Sequence, residues 1–209
     1  MGSKAVFLDR DGTITPETGA READPDVEPL PESFGAVRTL RRAGFLVVVV
    51  TNQSGIARGY YTEAELRGMH DALMHKFAEA GAPIDALYYC PHLPDGEVAE
   101  YAVECNCRKP RPGLLLRAAQ EHEIDLPASY MVGDTERDIQ AGRAAGCKGT
   151  ALIRPDQRDT FTLDFGAAPQ WQQVMQQMKE AVETGANAVV PDVAVAADWI
   201  LAVEESDRG

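Results

Sequence analysis

The chain has 209 residues, 44% of them apolar and 25% charged, with a formal net charge of −13 at pH 7. That length suits one domain with a substantial core, and the acidic balance argues against nucleic acid, whose phosphates call for clustered Lys and Arg. The longest apolar run, Phe45 to Val50, is too short to span a bilayer. Met1-Gly2-Ser3-Lys4 carries no signal-peptide core, so no membrane association and a cytoplasmic location are expected.

Strand and helix patterns alternate along the chain. Ala5–Leu8 is an apolar run that ends on Asp9, and a loop rich in Pro, Glu and Asp follows from Thr15 to Pro31. Ser33–Arg42 predicts a helix with Phe34, Val37 and Leu40 on one face, stopped by Gly44. Phe45–Val50 is apolar on both faces, as a central parallel strand is. Thr62-Glu63-Ala64-Glu65 is a capping box opening a helix with Leu66, Met69, Leu73 and Phe77 inward, closed by Gly81. Ala86–Tyr89 predicts a strand, Leu114–His122 a helix, Tyr130–Val132 a strand, Ile139–Ala145 a helix and Ala151–Ile153 a further strand. The stretch from Pro155 to Val190 breaks the alternation. Its Trp171, Val174, Met175, Met178 and Val182 recur at helical spacing from about Pro169 to Thr184, which predicts a helical insertion at about 155–190. That helix would pack on its own sheet or else form a dimer contact or flap. Asp192–Leu201 reads as a final strand region and short tail.

The alternation implies an α/β fold: one domain over residues 1–209, a doubly wound Rossmann-like parallel sheet with helices on both faces. Such sheets bind ligands beyond the carboxyl ends of their strands. Asp9, Thr51 and Asp134 each follow an apolar strand and would meet in one crevice. Asp9 and Asp11, two residues apart at a strand end, repel each other unless a hard cation such as Mg²⁺ intervenes. This points to metal-dependent phosphoryl transfer.

Three of the four cysteines fall within eighteen residues. Cys90-Pro91-His92, twelve residues, then Cys105-Asn106-Cys107 offers three thiolates and one imidazole, a closed tetrahedral set for structural Zn²⁺. Cys147 lies apart as a small buried residue. His70, His75 and His122 read as ordinary helix residues.

Asp9-x-Asp11-Gly12-Thr13, then Thr51-Asn52, Lys109 and Gly133-Asp134-x-x-x-Asp138 resemble, in that order, the four motifs of haloacid dehalogenase superfamily phosphatases. The resemblance spans positions 5 to 138 and implies that fold without a large cap domain. It implies Asp9 as nucleophile, Asp11 as general acid and base, and Thr51 and Lys109 as partners of the transferring oxygens. Mg²⁺ would be held by Asp9, Asp134 and the Asp11 backbone carbonyl, with Asp138 orienting its neighbours or capping backbone. Asn52, Gln53 and Ser54 would serve either the turn or substrate contact.

Cys-Pro-His…Cys-x-Cys-Arg-Lys-Pro-x-Pro-Gly, together with Thr51-Asn52-Gln53-Ser54-Gly55-Ile56-Ala57-Arg58-Gly59, closely resembles the D-glycero-D-manno-heptose 1,7-bisphosphate 7-phosphatase family. The phosphatase half of bifunctional histidinol-phosphate enzymes is similar. This implies a small phosphorylated sugar as substrate, loss of its 7-phosphate, and Arg108 gripping the phosphate at the other end. Two positions of substrate contact depart from the family pattern. The loop Glu17-Thr18-Gly19-Ala20 lacks the usual His-Gly-Tyr, and Thr135 stands where Lys is common. The alternatives are a histidinol-phosphate or other sugar-phosphate phosphatase, or a catalytically inactive zinc-stabilised binding protein. A monomer or homodimer is expected.

Overall fold

The computed structural model describes residues 2–17, 26–155 and 179–207. Among the described residues, six parallel strands form one sheet: β1 (Ala5–Leu8), β2 (Leu46–Asn52), β3 (Ala86–Cys90), β4 (Tyr130–Gly133), β5 (Gly149–Ile153) and β6 (Ala188–Val190), in the order β3-β2-β1-β4-β5-β6. Helices α1 (Pro31–Arg42), α2 (Glu63–Glu79), α3 (Gly113–Glu121), α4 (Glu136–Ala145) and α5 (Val193–Ser206) connect or follow them.

Period-two alternation divides the core. Val6 and Leu8 of β1 and Val47 and Val49 of β2 face one side, where Val37 and Leu40 of α1, Leu73 and Phe77 of α2, and Ala196 and Ile200 of α5 cover them. Ala5, Phe7, Val48 and Val50 face the other side, against Leu114, Leu115 and Ala118 of α3 and Ala141 of α4. Because β1 and β2 are covered on both faces, their sequences are almost continuously apolar.

The end of the chain corrects the expectation drawn from sequence. Asp192–Leu201 is not a strand region: α5 runs from Val193 to Ser206. Asp192 Oδ1 accepts the N–H groups of Ala194 and Val195 at 2.9 and 3.0 Å, satisfying two free donors of the first turn. Val193, Ala196, Ala197 and Ile200, at helical spacing, are buried. The last strand instead lies at Ala188–Val190, within the span expected as helical, bounded by Gly185 and Pro191. Residues 179–184 are helical, and the rest of the helix expected from Pro169 lies outside the described residues. Among the described residues, no helix is long and apolar enough to cross a membrane.

The sheet order positions the site. The chain leaves β1 for β2 and β3 on one side, then crosses to β4 on the other, opening a crevice at the carboxyl end of β1. Leu8 pairs with both Val49 and Val132, so the residues following all three strands emerge together.

Candidate active site

Asp9 is placed by backbone bonding. Its N–H donates to Val132 O at 2.9 Å, extending β1 one step beyond its last strand residue, and its Oδ1 accepts the Arg10 N–H at 2.7 Å. The chain then turns sharply, with the N–H groups of Ile14 and Thr15 donating to Arg10 O. Gly12 sits in this turn at φ 75°, and a Cβ there would lie 2.2 Å from Asp134 Oδ2. A side chain at position 12 would therefore displace Asp134 from the crevice.

Lys109 is the electrostatic centre of the site. Its side chain is 2% exposed, and its Nζ reaches Asp9 Oδ1 at 2.8 Å, Asp138 Oδ1 at 2.6 Å and Val50 O at 2.8 Å. The ammonium thus donates to the Val50 carbonyl and lies in ion-pair contact with both carboxylates. Asn52 holds the Lys109 backbone from both sides, its Nδ2 donating to Lys109 O and its Oδ1 accepting Lys109 N–H, each at 3.0 Å. Burial opposes the Lys109 charge, but Asp9 and Asp138 outweigh it and hold the pKa above the usual lysine value.

One oxygen from each of Asp9, Asp134 and Asp138 lies within 4.8 Å of the others. Burial first, and then the charge of Asp138, pushes Asp9 up to about 7 against the pull of Lys109. Asp134 rises to about 6 for the same two reasons. Buried carboxylates this close disfavour one another's ionisation, and a hard cation bound by oxygen relieves that conflict, so the donor set fits Mg²⁺. Asp138 Oδ2 accepts Thr135 N–H at 3.0 Å and the Thr135 hydroxyl at 2.6 Å, while Oδ1 makes an ion pair with Lys109 and accepts no hydrogen bond. Its geometry orients Lys109 and caps α4, and Thr135 is tied to it.

Asp11 lies beside this cluster with its carboxylate bound to protein. Arg10 donates to Oδ1 from Nε at 3.0 Å and from Nη2 at 2.7 Å, and to Oδ2 from Nη2 at 2.8 Å. Gln53 Nε2 donates to Asp11 Oδ2 at 2.8 Å and to Thr51 Oγ1 at 2.9 Å. Glu17 and Thr13 border a cavity of about 260 Å³ next to Asp134. Ser54 stays half-buried in the turn after β2, where its carbonyl accepts Arg58 N–H. Gly19 lies outside the described residues. Arg108 donates to His92 O at 3.1 Å and lines a cavity of about 360 Å³ with Lys109, Arg111 and Arg137. Arg10, buried at 4% exposure, is absent from the sequence reading, and its partner His70, read there as an ordinary helix residue, packs against it. The available signal was positional, since His70 follows Leu66 by four residues on the inward face of α2.

The loop carrying Arg108 and Lys109 is gathered by four donors. Cys107 Sγ stands 3.3 Å from Cys90 Sγ and 3.2 Å from Cys105 Sγ, and His92 Nδ1 stands 3.4 Å from Cys107 Sγ and 3.7 Å from Cys90 Sγ. These separations are far beyond a disulfide bond of about 2.05 Å. They approach the donor spacing of about 3.8 Å that a tetrahedron with bonds of about 2.3 Å requires. Close contact with Cys90, then with Cys105 and His92, lowers the Cys107 thiol from its ordinary value, while the same contact raises that of Cys90.

Known proteins share the sequence pattern and the fold of this chain. A family model described as HAD-hyrolase-like matches residues 106–181. A D-glycero-beta-D-manno-heptose-1,7-bisphosphate 7-phosphatase of Yersinia pestis is 42% identical over 167 residues, covering 80% of this chain and 88% of the relative. The chain belongs to this family. Its Escherichia coli K12 member is 45% identical over 150 residues, 72% of this chain and 78% of the relative. Among solved structures, the D,D-heptose 1.7-bisphosphate phosphatase of B. bronchiseptica, complexed with magnesium and phosphate, superposes with a TM-score of 0.70 at 34% identity. That match covers 95% of this chain and 98% of the other.

Proposed function

We propose that this chain is a Mg²⁺-dependent phosphatase that removes the 7-phosphate of D-glycero-D-manno-heptose 1,7-bisphosphate, supplying an intermediate of nucleotide-activated heptose synthesis. The observation that carries the chemistry is the buried ammonium of Lys109 bridging Asp9 and Asp138 in the crevice beyond β1. It leaves Asp9 as an anchored nucleophile and keeps a fixed positive charge beside it. The substrate assignment rests on relatives that bear that name. These relatives are named for the β anomer, which we take as the preferred substrate here.

Asp9 attacks phosphorus as the bond from phosphorus to the C7 oxygen breaks, giving an aspartyl-phosphate. Asp11 gives its proton to the departing sugar oxygen, then takes one from the water that hydrolyses the aspartyl-phosphate. Asn52 acts by fixing Lys109, and Asp138 by orienting the ammonium. Asp9, Asp134 and the Asp11 backbone carbonyl would hold Mg²⁺, which would supply positive charge to offset that of the anionic nucleophile and substrate. Arg108 holds the second phosphate. Cys90, His92, Cys105 and Cys107 would hold Zn²⁺ with no open position, so that it would serve the loop alone.

Phosphate release from a panel comprising both heptose 1,7-bisphosphate anomers, histidinol phosphate and simple sugar phosphates tests this assignment. The β-heptose bisphosphate is expected to give the highest kcat/KM. A higher value for histidinol phosphate would overturn the substrate while leaving the reaction class intact.

A further inference from the structure

Asp11 is gripped by a buried frame whose outer members lie far from it in sequence. Arg10 presents Nε and Nη2 to the Asp11 carboxylate and turns Nη1 away from it, to His70 Nε2 at 3.1 Å and Met69 Sδ at 3.3 Å. His70 is 5% exposed. Burial and the Arg10 charge push its pKa down to about 3, so the ring is neutral at physiological pH and Nε2 accepts from the guanidinium. On the other side, the Tyr61 hydroxyl donates to Gln53 Oε1 at 2.8 Å. That bond fixes the amide so that its NH₂ group faces Asp11 and Thr51. Gly55 makes room for this arrangement, since a Cβ there would lie 2.3 Å from the Tyr61 ring.

A planar guanidinium bound on only one edge can still swing about its own chain. Arg10 is bound on both edges, to Asp11 in front and to His70 and Met69 behind. We propose that His70, acting through Arg10, is a positioning residue for Asp11, with Tyr61 acting through Gln53 as its counterpart, so that helix α2 and the turn after β2 together set the direction of proton delivery. This rests on the reading of Asp11 as the general acid and base. It adds two residues that act through Arg10 and Gln53 and hydrogen-bond to neither Asp9 nor Asp11 themselves.

Proton delivery matters for a sugar alkoxide and little for a leaving group that departs as a stable anion. The parameter kcat/KM covers the steps through transfer of the phosphoryl group to Asp9, where that proton is given. His70→Leu removes the acceptor behind Arg10, whereas His70→Gln keeps an acceptor oxygen at similar reach. His70→Leu is expected to lower kcat/KM about 10-fold on the heptose bisphosphate and less than about 2-fold on p-nitrophenyl phosphate, a share of the rate that misplacing a catalytic group readily removes. His70→Gln should restore most of the loss. Tyr61→Phe should give the same discrimination at smaller size and serves if His70→Leu folds poorly. Equal losses on both substrates, no loss on either, or failure of Gln to outperform Leu would overturn the proposal. Asp11→Asn run in parallel separates the two readings. If it discriminates between the substrates and the His70 and Tyr61 variants do not, positioning alone falls. If it fails to discriminate, the acid–base role falls and the proposal with it.

Discussion

Asp9 and Lys109 illustrate how a charge pair becomes useful only when it is fully enclosed. Exchanging one carboxylate oxygen for an amide in Asp9→Asn keeps shape and volume but removes the nucleophile. Turnover is expected to fall by about 10³ or more with the fold retained, measured as steady-state phosphate release alongside thermal unfolding. Lys109→Met tests the pair differently, because it leaves Asp9 and Asp138 buried without their cation. Removing one member of a buried ion cluster costs about 3 kcal/mol, to be read by urea unfolding at pH 7 in Mg²⁺-free buffer. Asp9 already binds its proton more tightly folded than unfolded, and losing Lys109 strengthens that preference. The penalty should therefore shrink as pH falls and the acids protonate. A penalty that stays constant from pH 7 to pH 5 would show that the ammonium acts by packing rather than by charge. Asp9, Asp11 and Asp134 were legible because each lies in a local motif at a strand end, and Lys109 because it follows the Cys-x-Cys pair and opens Lys109-Pro110-Arg111-Pro112-Gly113. Arg10 and His70 were not, because their pairing joins positions sixty residues apart and depends on how α2 docks.

At the scale of elements, strands were easiest to read where burial on both faces leaves little choice of residue, as in Leu46–Asn52. Helix α5 was missed because Val-Ala-Val-Ala alternates small and branched apolar residues, a pattern that periodicity alone cannot separate from a strand. Its deciding feature is the cap. Asp192→Ala should cost about 1 kcal/mol, measured by chemical denaturation, because two first-turn N–H groups lose their acceptor. The long loop between β3 and α3 depends on a different device. It has no strand or helix of its own, yet it must deliver Arg108 and Lys109 to the site, and four sulfur and nitrogen donors converge at its base. Protein purified without chelator should carry zinc at about one per chain. Its removal should speed proteolysis between Cys90 and Cys107 and lower kcat, whereas removal of Mg²⁺ should abolish activity reversibly without added proteolysis. Zinc-free protein of full activity would count against the loop's dependence on metal.

Across the described residues, charge is organised at both ends of the sheet, and the end remote from the site contributes to acid stability. There Glu204 of α5 accepts from Lys148 at 2.7 Å, from Tyr130 at 2.9 Å and from Lys4 at 3.0 Å, tying the last helix to the region where β1, β4 and β5 begin. Burial pushes Glu204 upward, but the hydrogen bonds from Lys148, Lys4 and Tyr130 prevail and hold it down to about 2, against an ordinary value of 4.5. Between those values the unfolded chain binds the proton and the folded one does not, so this contribution is present above about pH 4.5 and is lost as pH falls through about 2. The cluster is partly exposed, and solvent screening limits its worth to about 1 kcal/mol. Glu204→Gln should therefore lower Tm by about 2–4 °C at pH 7. The gap should narrow steadily below pH 4.5 and also shrink in high salt. A gap that persists undiminished at pH 2.5 would mean that Glu204 contributes through packing against α5, and that the charge at this end of the sheet is incidental to holding the last helix in place.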